Sequence, residues 1–65
     1  METLKDIRLG RGMKQKAIAQ KLGIARQTYA SYEEHPEKMS YAQVMAVCNI
    51  LRCEPGDFFV PEEVK

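Results

Sequence analysis

Sixty-five residues, 45% of them apolar and 29% charged, leave room for one core and no second domain, and about 60% of the unfolded surface is all a chain this short can bury. The opening METLKDIRLG is charged and lacks the apolar run of a leader or membrane span, so the expected location is the cytoplasm and no membrane partner is expected. The net charge of +1 hides a polarity: residues 1–32 hold seven Lys or Arg against two acids (+5), and residues 33–65 hold three against seven (−4), so one end is suited to a polyanion.

The elements read as helices throughout. Leu4 and Ile7 keep a helical spacing, which predicts a first helix over 2–10, closed by Gly12. A second begins at Gln15, with Ile18, Ala19 and Leu22 on one face and Lys16, Gln20 and Lys21 left for solvent; Gly23 closes it. The third covers Arg26–Glu33, its inward stripe being Tyr29 and Tyr32, one turn apart. A loop around Pro36 follows. Ser40 then caps a fourth helix, and Gln43 three residues on completes a capping box. Val44, Val47, Cys48 and Leu51 form the buried face of that helix, widened by Met45 and Ile50. Pro55 suits the first position of a short fifth helix, which adds Phe58 and Phe59 to the core and ends at Pro61. No segment reads as a strand.

Chemistry by side-chain catalysis finds little support. Cys48 and Cys53 match no metal-ligand pair, the single His35 stands beside Pro36, and neither cysteine has a recognisable base partner. Cys48 reads as a small core residue. No metal, no cofactor and no enzymatic activity are expected.

The link between the second and third helices, Gly23-Ile24-Ala25, is too short for an antiparallel pair and forces a steep crossing, as in a helix-turn-helix. Ala19 allows close approach, with Tyr29 laid across it and Ile24 buried in the turn. With both tyrosines inward, Arg26, Gln27, Ala30 and Ser31 turn outward, and Thr28 lies at the margin. Arg and Gln carry the paired donors and acceptors that match guanine and adenine edges, an α-helix fits the major groove, and Ala30 could lie against a thymine methyl. A merely solvated helix face is the plainer reading of the same residues.

Arg8, Gln15, Ile18-Ala19, Leu22-Gly23-Ile24, Glu33, then Leu51, Cys53 and Phe58-Phe59, taken as an ordered set, resemble the phage repressor and Cro family of helix-turn-helix proteins over residues 4–59. The resemblance implies an all-α, five-helix, lambda-repressor-like fold, with the helix-turn-helix at helices 2 and 3 and the whole of 1–65 one domain with a short tail, 60–65. It implies that Arg8 pairs with Glu33 as a structural ion pair. It implies that Gln15 contacts the DNA backbone or orients a recognition-helix side chain, and that Arg26, Gln27 and Ser31 contact bases, with Thr28 and Ala30 beside them. The family's usual capping hydroxyls are replaced by Lys14 and Ala25, its usual Ile or Val by Tyr29, and its Gly-containing turn by Glu34-His35-Pro36-Glu37-Lys38-Met39. Lys14, Lys16, Gln15 and Lys38 are the expected phosphate contacts, while Lys5 and Arg11 are expected to be solvent or steering charges.

The function that follows is sequence-specific binding of double-stranded DNA as a small transcriptional regulator, with repression the simpler mode. The expected target is a palindromic operator bound by a homodimer, since one such domain has a small footprint. Phe59, Val60 and Val64 are the candidate dimer surface. The alternative is a protein-interaction module, antitoxin-like, that keeps the fold without specific DNA binding; three carboxylates in the 33–37 segment and two absent caps favour it.

Overall fold

A computed structural model describes residues 3–59; the expectations for Val60, Pro61 and Val64, and for Glu2 in the first helix, lie outside the described residues. Four α-helices follow in order, α1 (Leu4–Gly10), α2 (Gln15–Leu22), α3 (Arg26–Glu34) and α4 (Tyr41–Leu51), with 3-10 turns at Pro36–Lys38 and Pro55–Asp57. No strand occurs among the described residues, as the all-α reading requires. The five-helix count is corrected: the expected fifth helix is only the three-residue turn at Pro55–Asp57. Asp57 takes the Glu54 N–H at 3.1 Å, and both the Phe58 and Phe59 N–H groups return to the Pro55 carbonyl, at 3.3 and 2.8 Å. Gly56 at its centre has poor helix propensity, and Phe58 leaves the helical region to reach the core (φ −139°).

α1 starts one turn into the charged opening because Thr3 accepts from the Asp6 N–H and Asp6 accepts in return from the Thr3 N–H. α4 starts in the same way, with Ser40 and Gln43 in the expected capping box at 3.1 and 2.9 Å. α2 and α3 lack a side-chain cap, since Lys14 and Ala25 occupy those positions. An Ala25→Ser substitution should therefore add about 1 kcal/mol, read as a rise in melting temperature.

The core is drawn from every helix. Leu4 and Ile7 of α1, Ile18 and Ala19 of α2, and Tyr29 of α3 meet Val44, Val47, Cys48 and Leu51 of α4, and Phe58 closes one end. Met39, within the expected loop, is buried as well, which anchors the segment joining α3 to α4. Ile24 is half-buried rather than enclosed, and Phe59 is half-buried against the core rather than left wholly for a partner. Burial pushes the Cys48 thiol up to about 12, helped by its neighbour Cys53, so it is protonated at neutral pH and packs as an apolar residue.

Two left-handed residues set the helix ends that matter. Gly23 (φ 74°) lets the chain reverse so that its own N–H and that of Ile24 return to Gln20 and Ala19 at 3.2 and 3.0 Å, which fixes how α3 leaves α2. Arg52 does the same for α4 at φ 57°, a conformation that costs a side-chain-bearing residue about 1–2 kcal/mol. Arg52→Gly should relieve that strain and raise stability by about 1 kcal/mol, or about 4–8 °C in melting temperature for a domain of this size. The carbonyls of Leu51 and Arg52 are taken by Arg11, whose Nε and Nη2 donate at 2.7 and 3.1 Å. Arg11 is exposed, as expected of a solvent or steering charge, but its guanidinium is engaged as a clasp on the C-terminus of α4.

Candidate nucleic-acid interface

α3 is held by its tyrosines. Tyr29 is fully enclosed, and Tyr32 meets it edge-on with ring centroids 6.0 Å apart, half-buried toward α4. That orientation leaves Arg26, Gln27, Thr28 and Ser31 exposed, with Ala30 half-buried among them. Arg26 and Ala30 border one cleft with Lys5, Gln15, Glu33 and Glu34. Thr28 and Ser31 border a second with Tyr32, His35, Lys38 and Gln43. Lys38 is therefore near the outward face of α3, carried there by the Pro36–Lys38 turn.

A relay of polar side chains ties this face to the interior. Arg8, 6% exposed, points from α1 toward the end of α3 and binds Glu33 twice, Nε to Oε2 at 2.5 Å and Nη2 to Oε1 at 3.3 Å. Its third nitrogen donates to the Met13 carbonyl at 2.9 Å. Gln15, first residue of α2, donates its amide to Glu33 Oε1 at 2.9 Å and accepts from Arg26 Nη1 at 3.0 Å. The orientation of that amide follows from its partners: flipped, it would set carbonyl against carboxylate and NH2 against guanidinium. Gln15 is half-buried and engaged at both ends by protein, so its geometry in the free molecule is that of an orienting residue. Ser31 donates its hydroxyl to the Thr28 carbonyl at 2.6 Å.

The electrostatics of the relay are dominated by Glu33. Burial disfavours its charge, but hydrogen bonds from Arg8 and Gln15, with the Arg8 charge, outweigh burial and hold its carboxyl below the ordinary value. The same partner raises Arg8. Tyr29 is raised well out of the physiological range, by burial first and the adjacent carboxylate second. Its hydroxyl lies beside the pair and has no hydrogen-bond partner of good geometry among the described residues. A charged pair so enclosed is fixed in place, and through Gln15 it fixes Arg26.

Lys14 and Lys16 stand exposed at the start of α2, a helix with no side-chain cap. The resemblance implied the Arg8–Glu33 pair and an orienting role for Gln15; sequence reading did not find the Gln15–Glu33 bond that joins them, the Arg11 clasp or the buried Met39. Thr3-x-x-Asp6 carried a readable capping signal. The clasp carried none, because it joins residues forty apart. Among the described residues no helix is long and apolar enough to cross a membrane, and no three potential ligands cluster as a metal site.

No curated protein and no solved structure matches the chain. The model of the Cro/C1-type HTH DNA-binding domain does match, over residues 3–63, which is nearly all of the sequence. The α2–α3 pair joined through the reversal at Gly23, the outward polar face of α3 and that match agree: the chain belongs to the Cro/C1-type helix-turn-helix DNA-binding domain family.

Proposed function

We propose that the protein is a small transcriptional repressor that binds a palindromic double-stranded operator as a homodimer, inserting α3 into the major groove. The 65 residues act as one domain. The observation that carries the reading is the Gln15–Arg26 bond of 3.0 Å: an exposed arginine at the start of α3 is aimed in advance rather than left to sample solvent. Preorganisation of this kind lowers the ordering cost of binding. Arg26, Gln27 and Ser31 contact base edges, with Thr28 and Ala30 completing the surface. Lys14, Lys16 and Lys38 contact phosphates, and the free N–H groups at the start of α2 add to them. Gln15 serves chiefly to hold Arg26, with its second amide hydrogen available to a phosphate. What Phe59 leaves exposed, together with Val60 and Val64, forms the dimer surface.

The test is selection of a randomised duplex library at low and at physiological salt, followed by sequencing of the retained pool. A recovered palindrome supports specific recognition and gives the half-site spacing. Retention without enrichment that vanishes with salt reduces the protein to a polyanion binder, because released counterions then carry the affinity. No retention at low salt sinks the reading in favour of the interaction module. On a recovered site, Arg26→Ala should relax preference at one base step at a cost of about 1–3 kcal/mol, whereas Lys14→Ala should weaken all duplexes alike and reduce the salt slope by about one ion.

A further inference from the structure

The outward face of α3 is not uniform in its hydrogen-bonding sense. Arg26 offers donors only, since a guanidinium has no acceptor. Its Nη1 is held by Gln15, and Gln15 is held by Glu33, which Arg8 neutralises. The relay does two things to Arg26. It fixes the guanidinium on the α2 side of the recognition helix, and it leaves the remaining N–H groups in a set plane. An unheld arginine at the same position could swing to a phosphate; a held one presents a fork to whatever lies in front of α3.

Further along the helix the sense reverses. Ser31 is exposed, and its hydroxyl hydrogen is spent on the Thr28 carbonyl at 2.6 Å. While that bond is kept, the hydroxyl presents its lone pairs outward. Ala30 beside it carries no polar atom, so nothing on that residue competes with Ser31 for a base edge. Five residues separate Arg26 from Ser31, about 7.5 Å along the helix axis, which is roughly two base steps.

We infer that the operator half-site sets a guanine against Arg26 and, about two base pairs along, an exocyclic amino group, that of adenine or cytosine, against Ser31. The inference rests on the DNA-binding reading above and adds the chemistry of the sequence read. Guanine is the base whose major-groove edge shows two adjacent acceptors, N7 and O6, so it is the match for a fixed fork of donors. Adenine N6 and cytosine N4 are the donors on the major-groove floor, so they are the match for a hydroxyl that keeps its hydrogen on the Thr28 carbonyl. Thymine or guanine at the Ser31 step would set acceptor against acceptor.

The experiment uses the full chain and the palindrome recovered from the library, with single base analogues placed in each half-site. 7-Deazaguanine removes N7 and keeps the base pair; inosine keeps N7 and O6 and loses only the minor-groove amino group. At the Arg26 step, 7-deazaguanine should weaken binding roughly tenfold while inosine leaves it nearly unchanged, and in Arg26→Ala that difference should disappear. At the Ser31 step, an analogue lacking the exocyclic amino group should cost a few-fold in the native protein and nothing in Ser31→Ala. Gln15→Ala, which frees Arg26, should reduce discrimination against 7-deazaguanine more than it reduces affinity for an unrelated duplex. A recovered palindrome in which every guanine tolerates 7-deazaguanine, or in which Ser31→Ala shifts no preference, overturns the inference and leaves DNA binding intact. No retained duplex at low salt overturns both.

Discussion

Replacing Arg8 with alanine should cost about 3–5 kcal/mol, because it strands Glu33 as an unpaired charge at a side-chain exposure of 5%. A chain of this length has roughly 3–10 kcal/mol of stability in all, so the loss is a large fraction of the whole and should lower the melting temperature steeply. The pair itself adds little over a well-packed apolar replacement: desolvating both charges offsets most of their attraction. Arg8→Met combined with Glu33→Leu should therefore recover most of the loss. Chemical denaturation of the native protein, Arg8→Met, Glu33→Leu and the double variant closes the double-mutant cycle, and strictly additive losses would refute a coupled pair.

The same substitution should change the response to acid. In the native protein the Glu33 carboxyl is held low, so its contribution is fully present above the ordinary carboxylate value and is lost as the pH falls through the lower folded value. Without Arg8, burial is the main influence left and should raise that carboxyl instead. A raised carboxyl gives the folded state the greater proton affinity, so acidification then favours folding. The stability gap between native protein and Arg8→Ala should accordingly narrow as the pH is lowered from 7 toward 4. Melting curves at three pH values in that range test it, and a constant gap would show that Glu33 is not the stranded group.

How much of this was legible in the sequence depends on the range of the interaction. Local signals were read well: the Ser40–Gln43 box, the reversal at Gly23 and the α4 stripe all lie within a few residues of their cause. The outward polar face of α3 was legible too, since two tyrosines one turn apart fix which way a nine-residue helix must turn. The fifth helix was misread because Pro55 and Asp57 carry helix-start signals, and a 3-10 turn uses the same ones before stopping. Arg8 was placed through family resemblance rather than through its spacing. Nothing in the order of residues says that Gln15 should bridge Glu33 to Arg26, because the bridge exists only once α1, α2 and α3 are packed.

Arg11 gives the second large effect, and its sequence reading missed the clasp for an instructive reason. A basic residue in the positive half of a polarised chain looks like a charge for a polyanion, yet both of its hydrogen bonds go to carbonyls at the end of α4. That is where a cation belongs, facing the negative end of the helix dipole and two carbonyls with no helical partner. Hydrogen bonds to charged groups contribute about 1.5–3 kcal/mol each when sheltered, and the one to Arg52 is exposed, so Arg11→Ala should cost about 2–3 kcal/mol in all. Arg11→Lys should recover only part, since an ammonium cannot span two carbonyls with a planar fork. The contrast with Lys14 separates structure from steering. If Arg11 is a clasp, Arg11→Ala will lower the melting temperature while leaving the salt slope of DNA binding unchanged; a slope reduced by about one ion, with stability intact, would return Arg11 to the phosphate-facing surface.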